Sequence, residues 1–191
     1  MDSAAKAPVW SWLVLGVLVA ACHSSVENPT SAVTPSTETP VAAYDTVPTG
    51  AVTVPCVVES VTDGDTFRCV GGRRVRLLTI DAPEMTQTPF GATSRQRLAE
   101  LLPLQSTVTL ELDVEVQDVY GRTLAYVRRG GVFVNRALVR GGMAVVAVYP
   151  PNVRYVFALR AAADSARIET AGLWATSGFE CLPADHRRNA C

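Results

Sequence analysis

Past residue 56 the chain alternates short β-branched runs with longer stretches of helical period, and this alternation sets the order of elements. Residues 57–61 and 66–70 carry valine or threonine and bracket Asp63-Gly64, a dipeptide well suited to a tight hairpin turn. Residues 74–80 continue as a third strand, and residues 91–102 read as an amphipathic helix stopped by Pro103. Residues 107–112 alternate as a fourth strand and residues 123–128 form a fifth, followed by Gly130-Gly131 as a turn. A short helix is predicted over Val134–Arg140, closed by Gly141-Gly142. Residues 145–148 are apolar but too short to assign to helix or strand. Over 153–170, Val156, Leu159, Ala163, Ala166 and Ile168 fall at mostly helical spacing, with Arg154, Arg160, Asp164 and Arg167 between them, so a last helix should end near Gly172.

Three strands, a helix, two strands and further helices predict a mainly β fold with helices (α+β). A small curled antiparallel sheet under helical cover is expected, and a five-stranded OB-type barrel is one natural closure of it.

The first half-hundred residues follow none of these patterns. The apolar run 9–21 is too short to span a bilayer and ends in small residues, the form of an export signal over residues 1–22. Leu18-Val19-Ala20-Ala21-Cys22 resembles a bacterial lipobox, in which the cysteine is acylated and becomes the mature N-terminus. The alternative is an ordinary cleaved signal peptide and a secreted product. Residues 23–52, rich in Pro, Thr, Ser and Ala without a hydrophobic period, read as a solvated tether. A globular domain is then expected over 53–176 and a tail over 177–191. Such a protein would sit at the cell envelope, lipid-anchored through Cys22, in the outer membrane if the source has two.

Composition sharpens this division. With 191 residues and 48% apolar content the chain can build one ordinary domain plus appendages. Its formal charge of -1 is unevenly spread: Lys6 against four carboxylates leaves residues 1–50 at -3, while 16 arginines against 14 carboxylates leave the rest at +2. Arginine favours bidentate phosphate contact, yet the excess is too small for a dedicated electrostatic DNA binder. Beyond Cys22 stand Cys56, Cys69, Cys181 and Cys191, an even number that in an exported chain favours disulfides. Three connectivities are open. Cys56 and Cys69 flank the Asp63-Gly64 hairpin almost symmetrically, so Cys56–Cys69 and Cys181–Cys191 are the preferred pairs.

The chemistry-bearing segments are Asp63-Gly64-Asp65-Thr66, the run from Arg76 through Asp81-Ala82-Pro83-Glu84, and Asp118-Val119-Tyr120-Gly121-Arg122. Each alone has a plain reading as a turn or a solvated loop. Together they supply hard oxygen ligands and phosphate ligands, and hydrolysis of a phosphodiester needs both. Asp65 and Asp81, with a backbone carbonyl and waters, suit calcium or magnesium, and no soft-ligand cluster competes. Glu84 can accept a proton from attacking water, and the guanidinium groups of Arg76 and Arg122 match the charge that grows on phosphate oxygens. His23 and His186 suggest no shared site. Tyr126, Phe133 and Tyr155 read as packing rather than a base-stacking platform.

In residue type, order and approximate separation these segments resemble the staphylococcal nuclease (thermonuclease) family, over roughly residues 56–174. The resemblance implies an OB-fold barrel with about three helices and cleavage of DNA and RNA. It implies a divalent cation, calcium by expectation, held by Asp65, Asp81 and the Ala82 carbonyl. It casts Glu84 as the water-activating base, Arg76 and Arg122 as phosphate-binding arginines, Tyr120 as a nucleotide contact and Tyr149 as a further substrate contact. Three departures touch substrate binding. A lysine before the nucleotide-binding tyrosine is Val119 here, the loop after Glu84 is shorter, and a tyrosine pair before Pro150-Pro151 is reduced to Tyr149. Two functions follow for weighing: a monomeric metal-dependent nuclease, or a non-catalytic OB-fold module that binds nucleic acid. Degenerate binding copies typically lose the acidic and arginine positions, and here all five are filled.

Overall fold

The structure, a computed structural model, describes residues 46–191, and the export segment, Cys22, His23 and most of the tether lie outside the described residues. Strand β1 (Thr53–Val61) pairs antiparallel with β2 (Thr66–Cys69) on one side and β5 (Thr107–Glu111) on the other. It begins before residue 57, where sequence alone put its start, because residues 53–57 find partners in β5. β2 continues antiparallel to β3 (Arg74–Leu77), and β5 to β6 (Thr123–Arg129). A parallel pairing of β3 with β6, Val75 beside Thr123, closes these five strands into a mixed barrel. The β1–β2 register slips between Val58 and Ser60, a bulge that bends β1 where it passes from one partner to the other. Alternation along the strands sends Val58, Phe67, Val75, Leu110 and Val127 inward, all fully buried.

The helices cover this barrel. Helix α1 (Phe90–Leu101) buries Gly91, Ser94, Leu98 and Leu101, a stripe at helical spacing. A short strand, β7 (Val132–Phe133), folds back on β6 and leads into α2 (Val134–Arg140). The buried Asn135 of α2 accepts from the Val127 amide and donates to the Leu78 carbonyl, both at 2.9 Å, and so pins the helix to the barrel. Helix α3 (Val156–Ile168) packs through Leu159, Ala162 and Ala163. Residues 145–148, unassigned from sequence, supply β8 (Val145–Val146), which pairs with β4 (Ile80–Asp81).

Two turns differ from the sequence expectation. The third strand stops at Leu77 instead of running to residue 80, because Thr79 turns into the left-handed region (φ 63). The Arg76 guanidinium then collects the carbonyls of Leu77 and Ile80, at 2.7 and 2.8 Å, that the turn frees. Asp63-Gly64 does join two strands, but as part of a wider turn in which the Thr62 and Asp63 amides both donate to the Thr66 carbonyl. Gly64 has no positive φ; its need for glycine is spatial, since a Cβ would stand 2.5 Å from the Ala82 Cβ and 2.7 Å from that of Ser94.

Both preferred cystines are formed, Cys56–Cys69 with Cα atoms 5.6 Å apart and Cys181–Cys191 at 5.8 Å. A 3₁₀ turn, Gly172–Ala175, ends the expected domain, and the tail holds a second, Ser177–Phe179, and a helix that the sequence pattern did not announce, α4 (Pro183–Arg187). Its five residues are too few to show a period, though Pro183 at the first turn is a start signal. Tyr126, Phe133 and Tyr155 pack edge-to-face or tilted, with Tyr126 and Tyr155 centroids 4.7 Å apart, in keeping with a packing role. No helix among the described residues is long and apolar enough to cross a membrane.

Candidate active site

One cavity of about 720 Å³ gathers every residue singled out from sequence: Asp65, Arg76, Asp81, Ala82, Glu84, Tyr120, Arg122 and Tyr149 all line it. They arrive from four places: the β1–β2 turn, the end of β3 with β4 and its following loop, the β5–β6 connection, and the segment before α3. The close contact of Gly64 with Ala82 brings the first two together.

Arg76 organises the acidic side. Its Nε lies 3.1 Å from Asp65 Oδ1 and its Nη2 donates to Asp81 Oδ1 at 3.0 Å. With both Nη1 hydrogens given to the Leu77 and Ile80 carbonyls, a single Nη2 hydrogen is left for a substrate. Asp65 is almost completely buried, and its other oxygen accepts from the Ala82 amide at 2.9 Å. Burial pushes its carboxyl above the ordinary range, against the opposing pull of Arg76 and the Ala82 amide. Glu84 sits at the rim, its amide donating to Gln87 Oε1 at 2.8 Å.

Arg122 stands on the opposite wall. Its Nε donates to Asp118 Oδ2 at 2.7 Å, while among the described residues no acceptor engages either terminal nitrogen, so its fork faces the cavity. Asp118 Oδ1 also accepts from the Tyr120 and Arg122 amides, which shapes the turn that presents both side chains. Burial raises the Asp118 carboxyl, but these hydrogen bonds from Arg122 and Tyr120 outweigh it and hold the group below its usual range. Gly121 supplies the left-handed residue of the turn (φ 70). Tyr120 and Tyr149 project with 70% and 61% of their surface exposed, and the Arg122 guanidinium lies 5.6 Å from the Tyr120 ring centre.

The donor chemistry suits a hard cation. Asp65 and Asp81 offer oxygen only, and no histidine or cysteine lines the cavity. Among the described residues no three His, Cys, Asp or Glu side chains form a metal cluster, so further ligands would be backbone carbonyls and water. Three residues given no role in the sequence reading line or support this site. Asp118 carried a turn signal only, Gln87 carried none, and Arg187 lay in the tail, a hundred residues from the carboxylates it meets. Its Nη1 is 2.6 Å from Glu84 Oε1, and its Nη2 is 2.7 Å from Asp81 Oδ2. These bonds, first with Asp81 and then with Glu84, push the Arg187 guanidinium further up from its already high value.

Comparison with known proteins adds an independent line. The family described as "Staphylococcal nuclease homologue" matches residues 74–176. A thermonuclease of Staphylococcus intermedius is 35% identical over 126 residues, which cover 62% of this chain and 74% of that one. Endonuclease YncB of Bacillus subtilis (strain 168) is 35% identical over 127 residues, 61% of this chain and 60% of its own. The SPbeta prophage-derived endonuclease YokF of the same organism is 32% identical over 136 residues, 66% of this chain but 46% of its own. The chain thus spans less than two thirds of these two endonucleases. The family match takes in more than half of the chain and runs from β3 through the turn of Arg122 to just past the Gly172–Ala175 turn, and on this ground the chain belongs to the staphylococcal nuclease homologue family.

Proposed function

We propose that this protein is an exported nuclease that hydrolyses phosphodiester bonds in DNA, RNA or both with the help of a bound divalent cation, calcium by first choice. The observation that carries this reading is the convergence of two buried aspartates, a rim glutamate and an arginine with an open fork on one cavity. Asp65, Asp81 and the Ala82 carbonyl would hold the cation, which supplies Lewis-acid stabilisation of charge on the phosphate oxygens. Glu84, at the solvent-facing rim, accepts the proton of the attacking water. Arg122 offers its terminal nitrogens to two phosphate oxygens, and Arg76 adds one N–H while keeping the aspartates in place. Tyr120 and Tyr149 flank the cavity as surfaces on which a base or ribose can rest. On the same footing, Cys22 would be lipidated, with residues 23–52 tethering the domain to the envelope.

The test is the full chain, purified in mild detergent, incubated with labelled DNA and RNA in the presence of calcium, magnesium, manganese or a chelator. Cleavage should need a divalent cation and should fall by about 10² to 10⁴ in Glu84→Gln, whose folding is intact. Cleavage that persists under chelation, or wild-type turnover in Glu84→Gln, would sink the mechanism. Binding without cleavage under any cation would leave the non-catalytic module instead.

A further inference from the structure

We propose that Arg187 is a built-in counter-ion of this site: the cystine-closed tail holds its guanidinium on Glu84 and on Asp81, the aspartate that a divalent cation would share with Asp65, so that tail and cation compete. The inference rests on the cation-dependent reading above and adds an occupant from the chain itself.

The first support is the saturation of Asp81. Its Oδ1 accepts from Arg76 at 3.0 Å and from Arg187 Nη1 at 3.1 Å, and its Oδ2 accepts from Arg187 Nη2 at 2.7 Å. Three of the four lone-pair sites of this carboxylate are therefore taken by guanidinium hydrogens. Asp65 is similarly engaged by Arg76, Thr66 and Ala82. A cation cannot coordinate Asp81 fully until Arg187 withdraws. Charge gives the same answer, since two aspartates and a glutamate are already balanced to within one unit by Arg76 and Arg187, which removes most of the attraction for a dication.

The second support is that the tail is docked on the site by specific contacts rather than draped over it. Gln87 Nε2 donates to the Cys181 carbonyl at 2.9 Å while its Oε1 receives the Glu84 amide, so one buried side chain ties the cystine to the base. Thr86 Oγ1 and His186 Nε2 lie 2.9 Å apart, at the residue just before Arg187. The third is that the latch is light. In α4 only Pro183 is buried, and the Arg187 side chain is 41% exposed, so release uncovers little apolar surface. A divalent ion can then outcompete one guanidinium at modest cost.

The experiment measures calcium uptake by calorimetry, without nucleic acid, on the full chain and on Arg187→Ala, Arg187→Lys and the double variant Cys181→Ser/Cys191→Ser. Arg187→Ala should bind calcium about tenfold more tightly than wild type, with the lysine variant and the opened cystine shifted in the same direction by less. In wild type, amide hydrogen exchange over residues 182–190 should quicken when calcium is added. Equal or weaker calcium binding by Arg187→Ala, or a tail whose exchange ignores bound calcium, overturns the latch while leaving the cation reading intact. Loss of cleavage with unchanged calcium affinity would make Arg187 a substrate ligand and likewise overturn it. If neither wild type nor Arg187→Ala takes up calcium, magnesium or manganese at millimolar concentration, the cation reading falls and the latch with it.

Discussion

Arg76 and Arg122 look equivalent as sequence positions, yet their surroundings give them different work. Arg76 spends its hydrogens on two aspartates and two carbonyls within the fold, whereas Arg122 is held by one aspartate and keeps its terminal nitrogens open. Removing Arg76 leaves the buried Asp65 without its guanidinium partner and Asp81 with Arg187 alone, and stranding a buried partner in this way typically costs about 3–5 kcal/mol. Removing Arg122 leaves only Asp118, at the cavity edge. We therefore expect Arg76→Ala to lower both unfolding free energy and turnover, and Arg122→Ala to lower turnover by about 10² to 10³ with stability nearly unchanged. Urea unfolding set beside steady-state kinetics separates the two. An Arg76→Ala protein as stable as wild type would remove the anchoring role.

At the scale of elements, β5, β6 and α3 meet over a buried acid. Glu111 is fully buried, with Arg128 Nε at 3.3 Å, Arg154 Nη1 at 2.9 Å and the Tyr155 hydroxyl donating at 2.8 Å. Burial first, and then the bond to Glu111, push the Tyr155 phenol up to about 12 from its ordinary 10.0. Between those values the folded protein keeps a proton that the unfolded chain has lost. Stability conferred by this group is therefore whole below about pH 10 and falls as pH rises towards about 12. Tyr155→Phe should lose less stability than wild type across that window, measured by urea unfolding on either side of it. Parallel pH profiles for the two proteins would show that the phenol does not govern the alkaline limit. The same region explains why the amphipathic pattern of α3 was legible but its start was not. The pattern placed it at residue 153, and it begins at Val156, because Asn152 and Arg154 are drawn to Glu115, Asp113 and Glu111 of the β5 side.

At the scale of the whole molecule, the catalytic domain is expected to work from a membrane surface. Cys22 follows Val19-Ala20-Ala21 directly and precedes some 30 residues of tether. Each buried CH₂ of an acyl chain contributes about 0.8 kcal/mol, so several chains on one cysteine would hold the protein on a bilayer almost permanently. Wild type should partition with membranes and into detergent, and Cys22→Ala should not. A wild-type protein found soluble in the medium, with its N-terminus beyond Cys22, would mark the segment as an ordinary signal peptide.

The five barrel strands, their order, the three main helices, both cystines as the preferred pairs, and the acidic and arginine positions could be read from the chain. Each depends on local pattern, on turn residues, or on residue types whose chemistry is the same wherever they stand. The parallel pairing of β3 with β6 in a sheet expected to be antiparallel, the break of β3 at Leu77, the spatial need for Gly64 and the hold of Asp118 on Arg122 could not, because they arise where segments distant in sequence compete for the same carbonyls, carboxylates and space. Arg187 is the extreme case. Nothing in its own neighbourhood marks it, and only the fold, by laying the cystine-closed tail against the loop of Glu84, turns a tail arginine into a partner of the central carboxylates.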